Sequence, residues 1–486
     1  MRRLNRAPRF GRALRRAVAA GVVVVASLPP VHTSASSVRA VAAGSRPSIV
    51  FILTDDQRWD SLWTMPIVQR RLVDRGVTFD NAFVVNSLCC PSRASILTGR
   101  YSHGTGVYRN TRIGGGFAAF DDASTIATWL HDDGYRTALI GKYLNWYTGA
   151  GIRGYVPPGW DRWVAFVQNL GLYFDYTLSV DGTSLPNYGE SPGDYSTDVL
   201  AHRAVEFIRH TRGPMFLEFA PFAPHGYPVP APRDRDTLPQ LAPSRPPNFD
   251  EADVSDKPTW VRRLPRLTAD RIRGVDEIVK KTNQTLGAVD DAVGRILDAL
   301  RETGRLHNTL IVFTSDNGFA FGEHRWTNKL SPYEESIRVP MVVRDDALTG
   351  PRRDGHLALN IDLAPTFADL AGVTPPGPVD GRSLLPLLEG PVWWRRDFLV
   401  EHAWSGAFHP DIPTYCSVRS RSFDYTLYRY HGDPPTWDEE LYDLARDPFE
   451  LHNLAAKPAY AQALQRMRTR LRKLCDPPPP GFTFPS

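Results

Sequence analysis

Four short, mostly apolar runs stand out along the chain, at 48–53, 137–140, 215–219 and 309–314. Each is continuous rather than alternating, which predicts strands covered on both faces, as in a parallel sheet. Each also stops abruptly at polar residues: Thr54-Asp55-Asp56, Gly141-Lys142, the stretch ending in Pro224-His225, and Ser315-Asp316-Asn317-Gly318. Helical spacing fills the intervals, at 124–133, 196–209 and in the long amphipathic stretch 269–303. This alternation predicts a doubly wound α/β domain. Open sheets of that kind bind ligands beyond the carboxyl ends of their strands. Residues far apart in sequence are therefore expected to converge on one crevice.

The pattern changes in two places. The segment 221–248 is too rich in Pro for helix or central strand and reads as a loop covering the site. At 374–395 the text turns to Pro and Gly, marking a passage to a smaller C-terminal part with strands at 398–400 and 425–430 and a closing helix at 459–474. The expected organisation is a leader at 1–44, a catalytic domain at 45–375 and a C-terminal subdomain at 376–486.

Charge modifies this picture at one end only. The formal charge of +4 depends on seven Arg within residues 1–16; without them 50 basic side chains face 53 acidic ones. Bulk charge therefore gives no reason to expect a nucleic-acid partner. That Arg-rich start precedes a twelve-residue apolar run at 17–28, too short to span a bilayer, followed by small-residue cleavage sites at 33–35 or 40–42. It reads as an export signal, by the general secretory route or, through Arg15-Arg16, the twin-arginine one. The mature protein is expected outside the cytoplasm, with no stable membrane span. An oxidising compartment allows Cys416 and Cys475 to pair, the alternative being two independent buried thiols.

The strand ends carry the chemistry. Asp55 and Asp56 are adjacent carboxylates that repel unless a cation or protons intervene. Asp316 and Asn317 add oxygens, and an oxygen-only set suits a hard ion, Ca²⁺ or Mg²⁺, rather than Zn²⁺. Residues 89–100 read Cys89-Cys90-Pro91-Ser92-Arg93-Ala94-Ser95-Ile96-Leu97-Thr98-Gly99-Arg100. This stretch resembles the sulfatase signature, whose first Cys is oxidised to Cα-formylglycine, and the spacing selects Cys89. Further text resembles N-acetylglucosamine-6-sulfatases and heparan 6-O-endosulfatases: Gly141-Lys142-Tyr143-Leu144-Asn145, 156–160, 176–182, 360–366 and the tail 441–454.

The resemblance implies an alkaline-phosphatase-like fold with a mixed, mostly parallel sheet. It implies hydrolysis of a sulfate monoester, with a sulfated sugar such as GlcNAc-6-sulfate as substrate. A formylglycine-generating enzyme would be a partner in maturation. Ca²⁺ would be held by Asp55, Asp56, Asp316, Asn317 and the modified Cys89. Arg93 would hold the nucleophile and the metal-ligand carboxylates. Lys142 and Lys329, two of only seven Lys, would clamp the sulfate, and His225 would protonate the leaving alcohol with help from Lys329. Asn145 and His324 are further candidates for substrate binding, and His103 for lining the pocket. In that chemistry the hydrated aldehyde attacks sulfur in line, and the sulfated intermediate then expels sulfate.

One position departs from the family. Leu144 stands where many sulfatases carry a His that takes the proton as the aldehyde re-forms. Tyr143, Trp146, Tyr147, Trp160 and Trp163 could form a wall for sugar stacking or pack in the core. The alternatives are an arylsulfatase of broad specificity, a phosphonate or phosphodiester hydrolase on the same fold, and a glycan-binding protein whose Cys89 stays unmodified.

Overall fold

All four apolar runs form strands, and they sit at the middle of one sheet. The computed structural model describes residues 46–485, apart from 112–114, 148–153, 168–171, 391, 405 and 407–411. The expected leader lies outside the described residues. The large sheet contains β1 (Ser48–Thr54), β2 (Val77–Phe83), β3 (Arg136–Gly141), β4 (Arg162–Phe166), β5 (Tyr176–Val180), β6 (Asn187–Tyr188), β7 (Met215–Ala220), β8 (Thr309–Ser315), β9 (Met341–Arg344) and β10 (Arg352–Leu359). Its order is β10-β2-β9-β8-β1-β7-β3-β4-β5-β6. The central pairs β8–β1, β1–β7 and β7–β3 are parallel, as are β3–β4 and β10–β2. The pairs involving β9, and those of β5 with β4 and β6, are antiparallel.

The continuous apolar runs have the physical cause expected of them. Ile49, Phe51 and Leu53 of β1 enter one hydrophobic cluster, while Val50 and Ile52 enter another on the opposite face. On the first face lie the helices Cys89–Thr98 and Leu363–Ala371; on the second lie Ser196–His210 and the long helix Ala269–Glu302. Thr268 starts the long helix by accepting a hydrogen bond from the Arg271 N–H. Among the described residues no helix is long and apolar enough to cross a membrane.

A second sheet follows, antiparallel in the order β11 (Asp397–His402), β12 (Thr414–Ser420), β13 (Phe423–Tyr430) and β14 (Thr436–Asp443). Its apolar face packs Leu399, Val418 and Leu441 against Leu464, Met467 and Leu471 of the closing helix Ala461–Leu474. A disulfide joins Cys416 on β12 to Cys475 just past that helix. It closes a span of 59 residues, so chain-entropy arguments give it about 4 kcal/mol. The paired substitutions Cys416→Ser and Cys475→Ser are expected to lower unfolding free energy in urea by about that amount. The geometry of the crevice, on the other sheet, should be unaffected.

Candidate active site

The carboxyl ends of β8, β1, β7 and β3 are neighbours, and each delivers a polar group to the same place. Asp55 and Asp56 follow β1, Lys142 follows β3, His225 lies five residues beyond β7, and Asp316 and Asn317 follow β8. Cys89 opens the helix Cys89–Thr98, every residue of which is buried. Cys90 N–H donates to Asn110 Oδ1 at 2.9 Å, tying down the helix start, and Gly99 ends it with φ +70°. Gly141 is required where it stands: a Cβ there would lie 1.9 Å from the Ala220 carbonyl oxygen, which accepts from the Lys142 N–H at 2.7 Å. Asp56 has φ +66°, a conformation that costs a non-Gly residue about 1–3 kcal/mol. Its N–H donates to Asp316 Oδ1 at 3.2 Å, and the Gln57 N–H donates to Ser315 Oγ at 2.9 Å, holding the turn against that strain.

Three carboxylates face three cations. Lys142 Nζ donates to Asp55, Lys329 Nζ donates to Asp56 Oδ1 at 2.5 Å, and Arg93 Nε donates to Asp316 Oδ2 at 2.7 Å. Arg93 also donates to the Lys142 carbonyl at 2.8 Å, so one guanidinium braces two strand ends. Cys89 Sγ sits at the centre, 2.6 Å from Lys329 Nζ and 3.5 Å from Asp55 Oδ1. His225 Nε2 is 3.6 Å from Asp56 Oδ2. Asn317 Nδ2 donates to Asp56 Oδ1 at 2.5 Å, while its Oδ1 is buried without a partner.

These contacts set the protonation states. Burial works to raise the Asp55 carboxyl, but Lys142, His225 and Arg93 outweigh it and hold it at about 2. Asp56 is likewise held low, by Lys329 and His225 against burial. Burial opposes the charge on Lys142 and Lys329, yet the surrounding acids keep both above the usual lysine range. Burial pushes the Cys89 thiol up to about 12, against the pull of Lys142 and Lys329. As a plain thiol Cys89 would be protonated and a weak nucleophile at neutral pH. Burial lowers His225 despite Asp55 and Asp56, so its imidazole is neutral at pH 7 and pulls on the two carboxyls only in the acid range where they titrate.

Three parts of the sequence reading land elsewhere. His324 is fully buried and meets Glu251 through Nδ1 at 2.7 Å and Asn248 through Nε2 at 3.2 Å, so it presents no free face to a substrate. The aromatic wall is core: Tyr143, Tyr147 and Trp163 pack edge to face with centroids 5.1–5.7 Å apart, and Trp160 stacks on Phe216. Only Trp146, 39% exposed, reaches the surface. His103 pairs with Glu401 at 3.0 Å and stacks on Tyr101, outside the cluster. Asn145 is half-buried with an unpartnered Oδ1, and its backbone carbonyl accepts from the Phe117 N–H. Leu144 is packed in the core and supplies no base.

One group escaped the sequence reading. Glu218 lies on β7 between Phe216 and Ala220, buried, with Oε2 unpartnered. A lone acid within an apolar strand was its only signal. Burial raises its carboxyl from 4.5 to about 7, against the pull of Arg93. Between those values the folded state binds the proton and the unfolded state does not, so stability falls as pH rises across the window. Glu218→Gln is expected to match wild-type stability at pH 4 and to exceed it by about 3 kcal/mol at pH 8. Thermal or urea unfolding at the two pH values checks this.

The arrangement suits displacement at an anionic centre. A nucleophile position lies inside a ring of fixed cations, beside oxygens able to hold a divalent ion, at the start of a helix. Comparison with known proteins narrows the class. A family model described as sulfatase matches residues 47–373, and one described as N-sulphoglucosamine sulphohydrolase, C-terminal, matches 322–476. The chain is 34% identical to human N-acetylglucosamine-6-sulfatase, covering 91% of this chain and 89% of that protein. It is 30% identical to N-acetylglucosamine-6-O-sulfatase of Bacteroides thetaiotaomicron, covering 88% and 86%. Similarity to the extracellular sulfatase SULF-1 homologue of Drosophila melanogaster, at 36% identity over 75% of this chain, spans only 33% of that longer protein. Among solved structures, a protein in complex with its substrate D-glucosamine-2-N,6-O-disulfate superposes with TM-score 0.76 at 27% identity, covering 89% of this chain and 98% of that one. The phosphonate monoester hydrolase of Agrobacterium radiobacter shares the fold, with TM-score 0.69 at 24% identity over 89% and 96%. The chain belongs to the sulfatase family and is a sulfuric ester hydrolase.

Proposed function

We propose that this sulfatase removes the 6-O-sulfate of N-acetylglucosamine units, using Cys89 converted to formylglycine and a Ca²⁺ ion held by Asp55, Asp56, Asp316 and Asn317. The single observation that carries the catalytic part is Cys89 seated among Lys329, Asp55 and Asp56, where burial favours the protonated thiol over the nucleophilic thiolate. The sugar is supported by the relatives named above and the disulfated glucosamine of the superposed complex.

Both absent groups fit the residues present. Asn317 Oδ1 is a buried oxygen without a hydrogen, and the carboxylates beside it retain acceptor capacity. Formylglycine would supply a hydrated aldehyde with a hydroxyl as nucleophile, and Ca²⁺ would supply fixed positive charge for the sulfate oxygens.

The remaining work belongs to the chain. Lys142 and Lys329 stay charged and stabilise the negative charge of the sulfate group. At an effective dielectric near 20, a unit charge pair about 4 Å apart is worth roughly 4 kcal/mol. Arg93 orients Asp316 and the loop after β3. Lys329, held protonated beside Cys89, can deliver a proton to the departing sugar oxygen. His225 is neutral until an anion arrives; the sulfate ester's charge favours its protonated form, and its buried Nδ1 is without a hydrogen-bond partner. Trp146, the one exposed aromatic of its group, is the candidate for stacking on the sugar. Export and the action of a formylglycine-generating enzyme complete the reading.

Rates on GlcNAc-6-sulfate, an aryl sulfate and an aryl phosphonate monoester test it. kcat/KM for the sugar sulfate is expected to exceed that for the phosphonate by about 100-fold or more, since extra sugar contacts are worth a few kcal/mol. Equal or reversed rates would instead favour the broad arylsulfatase or the phosphonate hydrolase.

A further inference from the structure

We propose that His324, Glu335 and Glu450 form a second metal site, suited to a divalent transition ion such as Zn²⁺ or Mn²⁺ and distinct from the Asp55–Asp316 cluster. One ligand atom from each of the three lies within 4.8 Å of the others. His324 is fully buried, and Glu335 and Glu450 are 5% and 1% exposed.

The unmet hydrogen bonds point inward. Glu335 Oε1 accepts from Asn248 Nδ2 at 2.9 Å and Glu450 Oε2 accepts from the Glu334 N–H at 3.2 Å, but Glu335 Oε2 and Glu450 Oε1 are buried with no partner. Asn248 Oδ1 is a third such oxygen. Neighbouring acids have their own cations: Glu323 has Arg58, Glu334 has Arg419, and Glu251 has the buried Lys257. Among the described residues neither Glu335 nor Glu450 forms a direct ion pair with Lys or Arg, and Glu335 feels Arg58 and His324 only at longer range. Two such buried carboxyl groups need a cation or a shared proton.

The imidazole favours the cation. With Nδ1 2.7 Å from Glu251 Oε2, the ring proton belongs on Nδ1 and the lone pair on Nε2, and a bound ion would displace the Asn248 amide that now meets Nε2 at 3.2 Å. A carboxylate behind a ligating His is the arrangement that fixes its tautomer and orientation at metal centres. One nitrogen and two or three oxygens suit a borderline ion better than Ca²⁺. The ligands come from separate segments: the loop after β8, the short helix Glu334–Ile337 and the tail beyond β14. The ion would therefore fasten the C-terminal part to the segment carrying Lys329.

Cobalt titration of the full chain tests this. The protein is stripped with a chelator, and Ca²⁺ is held in excess to fill the first cluster. Wild type is expected to bind about one Co²⁺ per chain with visible d–d absorption, displaced by Zn²⁺. Glu335→Gln and Glu450→Gln should each weaken this at least about 100-fold, and Glu251→Gln about 10–100-fold. If wild type takes up no more Co²⁺ than these variants, the carboxyl groups share a proton and the proposal is overturned. Should the variants fail to fold, X-ray absorption on wild type bound to Zn²⁺ decides: an imidazole among oxygen ligands supports the site, and all-oxygen coordination or no binding refutes it.

Discussion

Cys89→Ala should lower kcat for sulfate ester hydrolysis by at least about 10⁴-fold, with the fold intact. Removing a nucleophile that acts together with its partners forfeits nearly the whole contribution of the assembly, so the loss is large and not shared out residue by residue. Stability should change little, by about 1 kcal/mol, because one small buried side chain is exchanged for another. Lys329 loses a contact at Sγ but keeps Asp56. Circular dichroism and urea unfolding verify the fold while released sulfate reports the rate. A variant retaining a tenth of the activity would place the nucleophile elsewhere.

Asp316→Ala should damage both stability and activity. Its carboxylate is the hydrogen-bonded partner of the Arg93 guanidinium, and both side chains are buried. Its loss leaves Arg93 with Asp55 at 3.8 Å as its remaining acidic partner, and breaking a buried pair in this way costs about 3–5 kcal/mol. The Asp56 N–H also loses its acceptor, loosening a turn already held at positive φ. Ca²⁺ affinity measured by calorimetry should fall alongside activity. Adding Arg93→Ala should recover part of the stability but none of the activity. That non-additive cycle separates a stranded charge from a general loss of packing.

The strand ends were legible because their signal is local. A continuous apolar run that stops at Asp55-Asp56 or at Asp316-Asn317 carries both its burial and its direction in a few residues, and the topological rule then brings the ends together. The Cys89 helix was legible for the same reason. Side-chain destinations were harder to read. His324 is close in sequence to Lys329, but its backbone at φ +50° and its bonds to Glu251 and Asn248 turn it into a different cluster. Tyr143 and Trp163 are aromatic in either setting, and only the packing of β3 against β4 decides that they face inward. Glu335 and Glu450 gain their meaning from contacts more than a hundred residues apart in the chain, which no spacing rule anticipates.

Cys89 is proposed to act as formylglycine within this ring of charges. Mass spectrometry of the peptide spanning Cys89, from protein produced with a formylglycine-generating enzyme and assayed in the same batch, tests it most directly. The expected peptide is altered by the exchange of H₂S for O, with specific activity rising in proportion to the converted fraction. A fully active preparation in which every copy of Cys89 remains a thiol would contradict it.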